Sequence, residues 1–232
     1  MTETTSPTGS TSGPTPTPPP PPPPETATLA ATRRALHGIA ELVLAGPQYR
    51  AGGGIRLRVV PGGFGTVVEP ALRVDGDHLV VGDSAERVAL AGRSYAELAA
   101  SAGVEAGAPA DLYSDGSGVQ PGEPIVLDAT AAAAIQRAFA DGDRALRLLA
   151  PQLQPVLWPE HFDVAVTARE VNYGVSPGDG YLAEPYAYVG PHHPRRGSFW
   201  NAPFGAARRV AALGDADAIL AFFREGRARA SE

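Results

Sequence analysis

The first 25 residues limit what this chain can fold into. Met1 to Glu25 is rich in Thr, Ser, Gly and Pro, carries almost no apolar side chain, and ends in the unbroken run Pro18–Pro24. Such a segment cannot bury enough surface to offset the entropy of ordering it, and consecutive prolines favour the polyproline II conformation. The expectation is therefore a disordered Thr/Ser/Pro-rich tail over 1–25 and a single folded domain over 26–232, a length that suits one core. The tail can serve as a docking ligand for a partner that reads polyproline, or simply as a solubilising extension. Alanine makes up much of the 44% hydrophobic content, so the core rests on many small contacts.

Composition removes several chemistries. There is no cysteine, which excludes disulfides, thiolate nucleophiles, Cys-zinc sites and iron–sulfur clusters. Lysine is also missing, so all 19 basic residues are arginine and neither a Schiff base nor a phosphate-loop lysine is available within the chain. No cofactor is indicated. The formal charge of −6 and the scattered arginines argue against nucleic acid as a partner. The start of the chain reads as no secretory signal, and no window is long and apolar enough for a membrane span, so the expectation is a soluble, cytoplasmic protein without a membrane partner.

The apolar pattern predicts helices and short strands in separate runs. Thr26 or Thr28 can cap a helix that buries Leu29, Leu36, Ile39, Ala40, Val43 and Leu44 and turns Arg34, His37 and Glu41 outward, with Gly46-Pro47 as its stop. Ile55, Leu57 and Val59 alternate with arginines as in a half-buried strand. Leu72–Val74 and His78–Val81 flank Asp75-Gly76-Asp77 as a hairpin. Ser94 and Glu97 form a capping-box pattern. Residues 106–124 read as loop. Asp128 caps a helix to Ala140, and Asp141-Gly142-Asp143 should break it. Strands are expected around Val164–Val166, Val171–Val175 and Tyr186–Val189, and a last helix capped by Asp215 or Asp217 buries Ile219, Leu220, Phe222 and Phe223. No internal repeat is visible. This order predicts an α+β domain, an antiparallel sheet covered by helices.

Chemically able side chains gather between Trp158 and Gly205. Glu160-His161-Phe162-Asp163 leads into a strand, where His161 and Asp163 would share a face and so a proton or a metal ion. His192 could join them as a third ligand, although the spacing is not that of a helical zinc motif. Asn172-Tyr173-Gly174-Val175-Ser176-Pro177-Gly178-Asp179 reads as a strand ending in a turn that needs Gly178 at positive φ. Tyr181, Tyr186, Tyr188, Trp200 and Phe204 can line a pocket with polar tips inward, or form core. The run Asp115-Gly116-Ser117-Gly118 approaches a serine-nucleophile motif but lies in loop rather than on a strand-to-helix elbow.

The segments Trp158–Asp163, Asn172–Asp179, Glu184–Pro191 and Phe199–Ala206, together with Leu36-His37 and Val60–Phe64, resemble an uncharacterised family of actinobacterial proteins. That resemblance covers nearly the whole chain after the tail and implies a soluble cytoplasmic protein, with no activity, cofactor or fold attached. From the residues themselves, the leading expectation is a non-enzymatic binder of a small polar or anionic ligand, built from His161, Asp163, Asn172, Tyr173, Ser176, Asp179, Tyr186, Tyr188, Trp200 and Asn201. The alternative is a metal-assisted hydrolase using His161 and Asp163.

Overall fold

Alternating short strands and tight turns give this chain one long antiparallel sheet. The computed structural model describes residues 26–83 and 86–231, and the tail expected over 1–25 lies outside them. A helical stretch opens the domain as α1 (Thr26–Gly38), a π-helical segment (Ile39–Ala45) and α2 (Gly46–Arg50). Five strands follow: β1 (Leu57–Val60), β2 (Gly63–Thr66), β3 (Leu72–Asp75), β4 (His78–Val81) and β5 (Arg87–Ala89). Next comes α3 (Tyr95–Ser101), where Ser94 and Glu97 form the expected capping box, and then a long loop to α4 (Ala129–Leu149). A second set of strands comprises β6 (Val156–Trp158), β7 (Asp163–Ala168), β8 (Val171–Ser176), β9 (Tyr186–Pro191) and β10 (Ala206–Arg209). The chain closes with α5 (Val210–Leu213) and α6 (Ala216–Ala230), the latter capped by Asp215.

The order of elements repeats even though the sequence does not. Each half runs helix, five-stranded meander, helix, and the sheet order β10-β9-β8-β7-β6-β1-β2-β3-β4-β5 sets the two meanders back to back. Their junction is the antiparallel pair β1 and β6, with Leu57 opposite Leu157. A two-fold axis through that pair would generate this arrangement. The expected α+β architecture, an antiparallel sheet covered by helices, is the one observed.

Two expected helix stops are absent, each for a local reason. At Gly46-Pro47 the helix widens instead of ending: the Gly46 N–H reaches back five residues to the Glu41 carbonyl. Pro47 then sits in the first turn of α2, where its missing N–H costs nothing. The Leu42 carbonyl accepts instead from the Gly107 N–H at 2.9 Å, and Gly107 comes so close that a Cβ on Gly46 would lie 1.6 Å from its oxygen. At Asp141-Gly142-Asp143 the helix α4 continues unbroken to Leu149. Gly142 is a packing glycine, since a Cβ there would sit 2.7 Å from Val175 and 3.3 Å from Val164. Its bare backbone lets α4 press onto β7 and β8.

The core lies between the helices and one face of the sheet. Phe64, Phe139 and Phe162 meet edge to face at 5.2–6.5 Å, and Tyr173 packs on Phe223 of α6. Because strand residues alternate, burying Val164, Val175 and Val189 against α4 and α6 turns Asp163, Gly174 and Tyr188 to the opposite face.

Candidate functional site

The two halves differ where a strand connection meets the other half's helix. In the first half, β3 and β4 are joined by the tight turn Gly76-Asp77, and Gln136 of α4 closes the corner by donating to the Gly76 carbonyl at 2.8 Å. In the second half, residues 177–185 make a longer connection between β8 and β9, and Arg33 of α1 donates to the Ala183 carbonyl at 2.9 Å. That longer loop leaves a cavity of about 880 Å³ between α1, the 115–117 loop, the β6–β7 turn and the outer face of β8 and β9.

Asp163 and Tyr188 meet in its wall. Gly174 of β8 makes their meeting possible: a Cβ there would lie 2.5 Å from the Tyr188 ring and hydroxyl. Without that Cβ the ring lies across β8 from β9, and its hydroxyl donates to Asp163 Oδ2 on β7. Asp163 is 7% exposed, and its other oxygen, Oδ1, is buried with no hydrogen-bond partner among the described residues. Burial pushes the Asp163 carboxyl up to about 6, with Glu160 adding to the shift, while the Tyr188 hydrogen bond, His161 and the residue's own backbone amide oppose it. Burial and the adjacent carboxylate hold the Tyr188 hydroxyl well above its ordinary value, so it stays a donor.

The β6–β7 turn delivers Asp163 and Glu160 together. Phe162 has φ of 50°, a left-handed conformation costing on the order of 1–3 kcal/mol when a non-glycine residue adopts it. The twist drives the Phe162 ring into the core, where it stacks on His37 at 5.3 Å and packs on Phe64 and Phe139. Glu160, two residues earlier, keeps Oε2 buried and without a partner among the described residues. The expected shared strand face of His161 and Asp163 does not occur, because β7 begins at Asp163 and the reversal at Phe162 breaks the alternation. His161 is exposed.

Behind this turn lies a polar cluster on the helical stretch. His37 Nε2 contacts the Pro159 carbonyl at 2.6 Å and lies 4.0 Å from Glu41 Oε2. Burial lowers the His37 pKa, against the opposing charge of Glu41, so the ring is neutral near pH 7. Glu41 is 2% exposed and accepts from the Ser117 N–H at 2.6 Å. Gly116 leaves room for it, since a Cβ would come within 2.0 Å of Glu41 Oε1 and displace the carboxylate. The buried Tyr113 hydroxyl faces the same carboxylate without a partner in hydrogen-bond geometry. Placing Glu41 in the π-helical segment fits the common use of such segments at functional sites.

Eight of the residues expected to bind or ligate line this cavity. Besides Asp163 and Tyr188 these are His161, Asn172, Ser176, Asp179, Tyr186 and His192. Several are already occupied. Asp179 accepts from the Tyr181 and Leu182 amides and from the Tyr186 hydroxyl at 2.6 Å, so it builds the 177–185 loop. Ser176 accepts from the Gly178 N–H, and Gly178 has the expected positive φ, 101°. Asn172 meets Thr167 and His192. Three expected residues lie elsewhere. Tyr173 is core on the helix side of the sheet, because it alternates with Asn172 and Gly174. Trp200 packs on Phe199, away from the cavity, and Asn201 clamps both backbone groups of Ala207. His161, Asp163 and His192 share the cavity wall, but among the described residues no group of three or more His, Asp or Glu side chains is arranged to hold a metal ion.

Sequence reasoning missed Arg33, His37, Glu41, Glu160 and Ser117 as site residues. His37 and Glu41 sit one helical turn apart, and Glu160 lies in the aromatic block. Their signal was present, but only the fold brings α1 beside β7. Comparison with known proteins adds no identity: no protein-family model, curated protein or solved structure matches this chain, so the segment resemblance assigns neither family nor activity.

Proposed function

We propose that the protein binds a small polar molecule in the cavity around Asp163, and that binding rather than turnover is its role. The observation that carries this reading is the bare Asp163 Oδ1. Leaving a buried acceptor unpaired costs about 1–3 kcal/mol, more for a charged one, so a group kept in that state suits a partner that arrives with the ligand. Glu160 Oε2 stands in the same condition. The volume falls within the usual range for small-molecule sites, and Tyr186, Tyr188 and Phe204 offer aromatic surface beside the polar groups.

Of the two ligand types expected, polar or anionic, the free acceptors favour a hydrogen-bond donor. A cytoplasmic setting belongs to the same proposal, supported by the absence of cysteine. Among the described residues no helix is long and apolar enough to cross a membrane. The test is a thermal-shift screen of polar metabolite-sized compounds on wild type and Asp163→Asn. Compounds that raise the wild-type Tm should fail to raise that of the variant. Equal stabilisation of both proteins would refute the reading.

A further inference from the structure

Two buried carboxylate oxygens without donors, a wall of aromatic rings, and neighbouring arginines that are already engaged define more than a generic polar site. Resting on the binding reading above, we propose that the ligand carries a primary ammonium group, which pairs with the carboxylates of Asp163 and Glu160 in the cavity wall.

Charge is the first support. Four carboxylates line the cavity, from Asp115, Glu160, Asp163 and Asp179, against the two guanidiniums of Arg33 and Arg34. Both guanidiniums already have partners within the protein. Arg33 donates to the Ala183 carbonyl with Asp179 and Tyr186 beside it, and Arg34 pairs with Glu123 at 2.9 Å. His37, the buried histidine of the wall, is neutral for the reason given above.

Donor count is the second. Among the described residues no donor reaches Asp163 Oδ1 or Glu160 Oε2, whereas Asp179 has its oxygens filled. An ammonium supplies three N–H donors from one atom and brings the positive charge that a buried carboxylate lacks. A neutral hydroxyl supplies one donor and no charge.

The aromatic wall is the third. Tyr186, Tyr188 and Phe204 lie with ring centroids 6.2–6.4 Å apart. Ring faces attract cations, and Tyr188 lies directly beside the Asp163 carboxylate. The remaining volume accommodates the body of a metabolite rather than an ammonium ion alone.

The experiment is titration calorimetry and thermal shift on the full chain with putrescine and glucosamine, using glucose and N-acetylglucosamine as uncharged counterparts at millimolar concentration. Both amines should bind saturably, and glucosamine should bind roughly tenfold or more tightly than glucose, the worth of one charge-assisted hydrogen bond. Asp163→Asn should remove that preference, and Glu160→Gln, whose substitution lies in a turn rather than a strand, should weaken it in a protein that still unfolds cooperatively. Glucose binding as tightly as glucosamine, with both lost in Asp163→Asn, would overturn the ammonium proposal and leave the polar-ligand reading standing. No saturable binding of either amine would overturn it as well. If the uncharged sugars then also failed to bind, the polar-ligand reading would lose its support in the same measurement.

Discussion

The Tyr188 hydroxyl satisfies one oxygen of Asp163 and leaves the other bare, so a buried carboxylate is fixed in place but not neutralised. The same hydroxyl holds the Asp163 pKa down against burial. Tyr188→Phe should therefore raise the Asp163 pKa above about 6 and destabilise the fold by about 1–3 kcal/mol at neutral pH. Carbon-13 NMR titration of the carboxyl and a denaturant melt measure the two effects. An unchanged carboxyl titration would mean that the hydroxyl does not govern Asp163.

Gly174 should be as restrictive as the residues it brings together. A methyl group there collides with the Tyr188 ring, whose hydroxyl is held by Asp163. Gly174→Ala should cost about 1–3 kcal/mol and push the Asp163 titration in the same direction as Tyr188→Phe. Combining the two substitutions should give less than the sum of their effects on the titration, because both act on one hydrogen bond.

Glu41 ties the 115–117 loop to the helical stretch through the Ser117 N–H. Glu41→Ala leaves that amide without its acceptor and should destabilise by about 1–3 kcal/mol. Amide exchange at Ser117 should accelerate more than exchange at core amides such as that of Val164. Uniform acceleration across the protein would instead mark Glu41 as a general core residue.

Strands and caps were legible because their signals are local. The hairpin across Gly76, the capping box at Ser94 and Glu97, and the turn at Gly178 each need particular residues at fixed offsets, and the structure has them. Helix continuity was less legible. Gly142 and Gly46 look like stops, yet each lies where another segment presses close, and only the tertiary neighbour decides which role a glycine has. The repeat of five strands in each half was hidden because the corresponding corners carry unlike residues, Gln136 against Gly76 in one and Arg33 against Ala183 in the other. In the candidate site, the aromatic block gave Asp163, Tyr186 and Tyr188. It also offered Tyr173 and Trp200, which strand alternation and the packing of Phe199 carry to other places. His37 and Glu41 are more than 100 residues from Asp163, so no spacing could connect them.

Asp163 is kept as a buried, half-satisfied carboxylate at the expense of stability. Its folded pKa, about 6, lies above the ordinary 3.8, so between these values the folded protein holds a proton that the unfolded chain has released. Wild-type stability from this group is thus greatest at low pH, falls as pH rises through that window, and carries the full penalty above it. Asparagine does not titrate and keeps an acceptor for Tyr188. The measurement is the unfolding free energy of wild type and Asp163→Asn from pH 3 to pH 8. The variant should gain about 3 kcal/mol on wild type through the window and level off above it. A difference that stays flat with pH, or a variant that loses ground as pH rises, would contradict the account.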